Sequence, residues 1–163
     1  MLNNLNIFYK KKILIYGLGK SGLSAFKFLK KDNKIITHDD KKKPNNKKIS
    51  KIKFDYIIVS PGIDINRCSL SKFLKNNSKK IYTDLDIFYN NYKENNKITI
   101  TGTNGKSTTA KILYEVLKDQ KVDVRLVGNI GNPILLEKKI TDKTVFVIEA
   151  SSYQLEYSKK NTS

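Results

Sequence analysis

Residues 12–30 read KILIYGLGKSGLSAFKFLK. Lys12-Ile13-Leu14-Ile15-Tyr16 is a short β-branched run that stops at Gly17, the pattern of a strand buried inside a parallel sheet. Apolar side chains at Leu23, Phe26, Phe28 and Leu29 predict a helix over residues 23–31. Between the two lies Gly17-Leu18-Gly19-Lys20-Ser21-Gly22, a GxGxxG turn that follows a strand and opens a helix. Glycines there let the backbone approach an anion, which meets the helix N-terminus. Two readings stay open for it, a nucleotide- or diphosphate-binding turn and a tight structural turn. The acidic pair Asp39 and Asp40 follows Gly22 by 17 and 18 residues, near where a carboxylate that binds a ribose or base belongs.

Further along, residues 34–37 predict a second strand. Residues 41–53, rich in Lys and Asn, predict a loop with at most a weak turn of helix. A third strand over 55–60 is closed by Pro61-Gly62. A helix over 69–76, a short strand over 80–82 and a helix over 84–92 follow. Strand and helix alternate, so the fold class is α/β, a Rossmann-like parallel sheet with helices outside it. Glu94-Asn95-Asn96 reads as a linker. Residues 1–93 are therefore assigned to a first domain, expected to fold and bind its ligand by itself.

The pattern restarts at residues 97–118, KITITGTNGKSTTAKILYEVLK. A strand over 97–101 runs into Gly102-Thr103-Asn104-Gly105-Lys106-Ser107. A helix over 108–118 follows, with Ile112 and Val116 and the neighbouring Leu113 and Leu117 on its apolar face. The loop is shorter than GxxxxGK[ST], because position 100 is Ile. Its physics is the same: backbone N–H groups wrap phosphates, Lys106 neutralises the terminal ones, and the Ser107 hydroxyl can ligate Mg²⁺. ATP or another nucleoside triphosphate is the expected ligand. Strands over 122–127 and 144–148 come next. Glu149, at the end of the second of these, reads either as a helix cap or, beside Ser107, as a Mg²⁺ ligand. Gly128-Asn129-Ile130-Gly131 reads as a simple turn or a binding loop. His38 has no partner at metal-ligand spacing, and Cys68 reads as a buried or incidental thiol. Only three strands follow residue 97, so residues 94–163 are expected to be the start of a P-loop ATP-binding domain rather than all of it. The 163 residues alone are then expected to bind ATP weakly and to form no product.

Composition narrows the classes. The chain has a net charge of +17, a pI near 9.8, 39% apolar residues and one cysteine. It is too apolar and too evenly patterned for disorder, and it cannot be a disulfide scaffold. No run approaches the ~18 apolar residues of a membrane span. The N-terminal MLNNLNIFYKKK carries its charge after the apolar letters, unlike a secretory signal, so a cytoplasmic setting is expected. Of the 32 basic residues 30 are Lys and two, Arg67 and Arg125, are Arg. Arg is the usual bidentate reader of phosphate and guanine. Scattered Lys mixed with Asn and Ile therefore reads first as a solvated surface and as drift toward A- and T-rich codons. Nucleic-acid binding and attraction to an anionic small substrate are the alternatives.

Five segments, in order, carry a resemblance: Gly17-Leu-Gly-Lys-Ser-Gly-Leu-Ser24, Ser60-Pro-Gly-Ile63, Ile100-Thr-Gly-Thr-Asn-Gly-Lys-Ser-Thr-Thr109, Gly128-Asn-Ile-Gly131 and Val147-Ile-Glu-Ala-Ser-Ser-Tyr-Gln-Leu-Glu156. Together they resemble the Mur ligases of peptidoglycan synthesis, and among them the branch that adds D-glutamate. The resemblance implies an ATP-dependent, Mg²⁺-using ligase acting on UDP-N-acetylmuramoyl-L-alanine and D-glutamate through an acyl phosphate. Such an enzyme serves cell-wall biogenesis and, with it, cell shape and division. By the same resemblance Leu18, Gly19 and Lys20 approach the UDP phosphates, Asp39, Asp40 and Lys41 the uridine, and Gly62 the uracil side. Thr103, Asn104, Gly105, Lys106, Ser107, Thr108 and Thr109 bind ATP, with Lys106 also the catalytic cation at the β- and γ-phosphates. Ser107 and Glu149 hold Mg²⁺. Asn129, Ser151 and Gln154 lie along the muramoyl-alanine end. The resemblance implies a cytoplasmic monomer that binds neither nucleic acid nor a membrane. It also implies a later histidine, a carbamylated lysine and a D-glutamate domain that have no counterpart in these residues. The runner-up function is a non-catalytic module that binds the UDP-sugar and ATP.

Overall fold

The computed structural model describes residues 7–42 and 46–159. The run that opens the sequence reading forms β1 (Lys12–Tyr16), with Ile13, Leu14, Ile15 and Tyr16 fully buried. It is flanked by β2 (Lys34–His38) and β3 (Tyr56–Val59), and β4 (Ile81–Tyr82) completes a parallel sheet of order β2-β1-β3-β4. The chain moves from β1 outward to β2, then back across to β3. Such a reversal leaves a crevice beyond the carboxyl ends of the two central strands. One face of the sheet is covered by a cluster including Leu14, Tyr16, Ile57, Val59 and Leu74. The other face meets α1 (Lys20–Leu29) and α4 (Asp84–Asn91). The chain carries two further short helices in this half, α2 (Asn46–Ile49) and α3 (Ser71–Asn76).

A second parallel sheet has the order β5-β7-β6, built from β5 (Lys97–Ile100), β6 (Val124–Gly128) and β7 (Val145–Glu149). The long helix α5 (Lys106–Asp119) packs on one face through Ala110, Leu113, Tyr114 and Leu117, against Val124 and Val147. Alternation along β7 sends Phe146 and Ile148 to the opposite face. There they join Ala25, Leu29, Leu85, Ile87 and Phe88 of the first half, and Ile134 and Leu135 of a 3-10 turn, in one cluster. The α/β expectation of two parallel sheets therefore stands.

That cluster bears on the expectation that residues 1–93 fold by themselves. The buried faces of α1 and α4 are covered from beyond Lys93, so the Glu94–Asn96 segment joins two halves that share a core. Phe146 is fully buried, 4.8 Å from the Phe88 ring in an edge-to-face contact and 5.9 Å from Tyr92. Phe146→Ala is expected to cost about 3–5 kcal/mol and to destabilise both halves in one urea transition followed by circular dichroism. Two separate transitions, with only the later half weakened, would show the halves to be independent.

Several boundaries move. α1 begins at Lys20, not Leu23, because the third glycine of the turn lies inside its first turn. α5 begins at Lys106, which places Ser107 and Thr108 in the helix. Leu23, Ile112 and Val116 were assigned to apolar helix faces but are 46%, 60% and 52% exposed. The buried stripes run instead through Ala25 and Leu29, and through Ala110 and its neighbours. A final helix, α6 (Ser152–Tyr157), and the 3-10 turn Ile134–Leu136 were not predicted. Of the loop expected over 41–53, residues 43–45 lie outside the described residues, as do residues 1–6 of the N-terminal stretch. Among the described residues no helix is long and apolar enough to cross a membrane.

Candidate functional site

The carboxyl ends of β1, β2 and β3 open into a cavity of about 760 Å³. Leu18, Gly19, Lys20, Asp39, Asp40, Lys41 and Gly62 line it, and so does Asn129 of the second half. The three glycines of the turn divide the work. A Cβ on Gly22 would stand 1.8 Å from the Gly17 carbonyl oxygen, so this position joins strand end to helix with no room for a side chain. Gly19, the residue just before α1, has nothing within 4 Å of where its Cβ would be. The middle glycine thus faces open space where a ligand backbone or phosphate can come close.

The acidic pair is held by different means. Asp39 accepts hydrogen bonds from the Leu18 N–H at 2.7 Å and the Lys41 N–H at 2.9 Å. These bonds keep its carboxyl below the usual carboxylate range. They also tie the β2 end to the glycine turn. Asp40 accepts from the Tyr16 hydroxyl at 2.8 Å and from the backbone and side chain of Ser69, and lies 3.2 Å from His38 Nε2. Burial works against its charge, but the bonds from Ser69 and Tyr16 outweigh burial and lower its pKa. Burial in turn pushes the Tyr16 phenol well up. This network of Tyr16, His38 and Ser69 around Asp40 was missed from sequence. Tyr16 ends β1, His38 ends β2 and Ser69 lies just ahead of α3, so only the tertiary fold gathers all three around Asp40.

In the second half, Glu149 ends the central strand β7, level with Ile100 on one side and Gly128 on the other. Those two strands lead directly into the phosphate-type loop and the Gly128–Gly131 turn. The Ser107 hydroxyl donates to Glu149 Oε2 at 3.0 Å. Lys106 Nζ donates to the Gly102 and Thr103 carbonyls at 2.7 and 3.2 Å, folded over its own loop. Thr103, Asn104, Gly105, Thr108 and Thr109 lie exposed along the loop and the first turn of α5. A Cβ on Gly128, at φ +108°, would meet the Glu149 carbonyl oxygen at 2.3 Å. The turn role left open for this segment falls to its glycines, while Asn129 donates its N–H to the Glu149 carbonyl at 3.0 Å and reaches the first cavity.

Ser151 and Gln154 are not on the cavity wall. They form a reciprocal cap on α6: the Ser151 side chain accepts from the Gln154 N–H, and Gln154 Oε1 accepts from the Ser151 N–H. Gln154 is buried, and its Nε2 donates to Asp84 Oδ1 at 3.1 Å. Asp84 is buried at the start of α4, and burial pushes its carboxyl up against the hydrogen bonds from Gln154, Ser21 and Leu85.

Comparison with known proteins follows this geometry. Residues 100–162, from the end of β5 through Glu149 and beyond, match the Mur ligase middle domain. The chain is 36% identical over 169 residues to the UDP-N-acetylmuramoylalanine--D-glutamate ligase of Rickettsia bellii, covering 95% of the chain and 37% of the relative. It belongs to the Mur ligase family. The ligase of the same description from Clostridioides difficile is 35% identical over 90% of the chain, and that from Caldicellulosiruptor saccharolyticus 33% over 91%. In both cases the chain again spans 37% of the relative's length. The chain thus spans a little over a third of the length of these relatives.

Proposed function

We propose that this chain carries the UDP-sugar site and the ATP-phosphate site of a ligase that joins D-glutamate to UDP-N-acetylmuramoyl-L-alanine in peptidoglycan synthesis. The observation that carries the reading is the 760 Å³ cavity, to which the first half brings the glycine turn and the acidic pair and the second half brings Asn129. A long nucleotide-sugar seated there extends from the first sheet toward the phosphate loop. Leu18, Gly19 and Lys20 receive its diphosphate, and Asp39, Asp40, Lys41 and Gly62 its uridine.

ATP and Mg²⁺ fit the second half. A hydroxyl and a carboxylate oxygen 3.0 Å apart are hard donors of the kind Mg²⁺ takes beside phosphate oxygens and water. When bound, the ion neutralises charge on the transferring phosphoryl group. Ser107 and Glu149 would hold it, and the N–H groups of the loop and of the start of α5 would receive the phosphates. Lys106 exchanges its loop carbonyls for terminal phosphate oxygens. The alanine carboxylate attacks the γ-phosphorus and ADP leaves. The amine of D-glutamate then attacks the acyl phosphate, forming the amide and releasing phosphate. Positioning supplies most of the acceleration, since two bound substrates react as one. The reading makes the protein a cytoplasmic enzyme working as a monomer.

Calorimetric titration of the 163-residue chain with UDP-N-acetylmuramoyl-L-alanine tests it. Saturable heat is expected without ATP, and none from NADH. Heat from NADH and none from the UDP-sugar overturns the reading in favour of a dinucleotide-binding fold.

A further inference from the structure

β2 and β3 lie on either side of β1, so the segments that leave them are separated by the end of the central strand. A clasp crosses that gap. The Ser69 hydroxyl donates to Asp40 Oδ1, and the Ser69 N–H donates to Asp40 Oδ2 at 3.2 Å. From the end of β1, the Tyr16 hydroxyl donates to the same Oδ2 at 2.8 Å, and His38 Nε2 lies 3.2 Å from Oδ1. Each Asp40 oxygen thus meets two protein groups, which fills the acceptor capacity of a carboxylate. Asp39 differs. Its Oδ2 takes one backbone N–H, from Leu18, and its Oδ1 takes one, from Lys41. A lone pair remains on each of its oxygens.

The clasp also fixes one end of a loop. Ser60, just after β3, donates its N–H to the Tyr16 carbonyl at 2.9 Å and its hydroxyl to the Gly17 carbonyl at 2.8 Å. Ser69, just ahead of α3, is held by Asp40. Between these two anchors lie Pro61, Gly62, Ile63, Asp64, Arg67 and Cys68, all of which line the first cavity; Ser69 does not. We infer that Asp40 is a positioning residue rather than a ligand contact: through Ser69 it holds the 61–68 loop in place as a wall of the first cavity. The inference rests on the proposed reading of that cavity as a UDP-sugar site and deepens it, since Asp40 serves the uridine through the loop it holds. A wall fixed at both ends is ordered before the ligand arrives, so binding does not have to order it.

The affinity of the 163-residue chain for UDP-N-acetylmuramoyl-L-alanine is measured by calorimetry for Asp40→Ala, Ser69→Ala and the double variant. Ser69→Ala is expected to weaken binding about tenfold, the effect of losing one hydrogen bond to a charged group, although Ser69 is off the cavity wall. Asp40→Ala is expected to cost a similar factor, and the double variant no more than about twofold beyond either, because both changes undo the same clasp. Ser69→Thr keeps the hydroxyl and is expected to bind within about twofold of wild type. Losses that multiply, or a loss in Asp40→Ala alone, would mean that Asp40 touches the ligand and overturn the inference. A merely structural role would lower the urea midpoints and leave the affinities intact, which overturns it equally. Amide hydrogen exchange over residues 62–68 gives a readout that needs no ligand. It is expected to quicken about tenfold in Asp40→Ala and in Ser69→Ala while β1 and β3 keep their protection; unchanged exchange overturns the inference. A wild-type chain that binds no UDP-sugar, with the loop still loosened in both variants, overturns the proposed function and leaves the clasp standing.

Discussion

Gly22→Ala is expected to unfold the first half, or at the least to remove about 3 kcal/mol or more of stability. Inserting a methyl into a packed site usually costs about 1–3 kcal/mol because neighbours give way. Here the neighbour is backbone: the new Cβ would stand 1.8 Å from the Gly17 carbonyl oxygen and 2.7 Å from Ser60 Oγ. Ser60 cannot retreat freely, since its hydroxyl donates to that same carbonyl at 2.8 Å. Relief requires moving α1 off the end of β1, which dismantles the cavity. Gly19→Ala is the control. Its Cβ enters open space at φ −72°, so stability should stay within about 0.5 kcal/mol. Its UDP-sugar affinity should nonetheless fall about tenfold or more, because the methyl occupies the place where the diphosphate approaches. Denaturant midpoints and calorimetry on the two variants separate the roles. A stable Gly22→Ala chain, or a Gly19→Ala chain with unchanged affinity, would refute the assignment.

Lys106→Ala is expected to cost turnover about 10²-fold or more, the loss that follows removal of one preorganised electrostatic group. The assay uses residues 1–159 grafted in place of the matching segment of the Rickettsia bellii ligase, with the unaltered graft as reference. In this structure Lys106 Nζ rests on the Gly102 and Thr103 carbonyls, so alanine removes a cation without stranding an acidic partner. Folding should therefore be little affected, and the loss should appear in the chemistry. Ser107→Ala should cost a similar factor, since Glu149 would then face the ion alone. UDP-sugar affinity should stay within about twofold in both. Near-normal turnover in either variant would count against the assigned roles.

Much of the fold could be read from periodicity. β1, β3, β5 and β7 are short, β-branched and closed by glycine, proline or a lone carboxylate, so their positions were legible to within a residue or two. The phosphate loop and Glu149 were legible because a strand end and a glycine run fix where such groups point. Helix faces were less so. On α5 the letters offer Ile112, Leu113, Val116 and Leu117 equally, and only the seat on β7 decides that Leu113 and Leu117 go inside. The partners of Asp40 and the bond from Gln154 to Asp84 could not be read at all. The bonds to Asp40 from Tyr16 and Ser69 and the bond from Gln154 to Asp84 join residues 24, 29 and 70 positions apart, and nothing local in either segment specifies the other.

The aromatic contact of Phe88 with Phe146 constrains motion. If the halves swung apart about the Glu94–Asn96 segment, as clamshell proteins do around a ligand, the faces of α1, α4 and β7 would lose their cover and meet water. Hinge opening is thus penalised at the very place where the chain's polar segment would otherwise permit it. The glycine-turn cavity and the Glu149–Ser107 pair are thus held by a single shared apolar core.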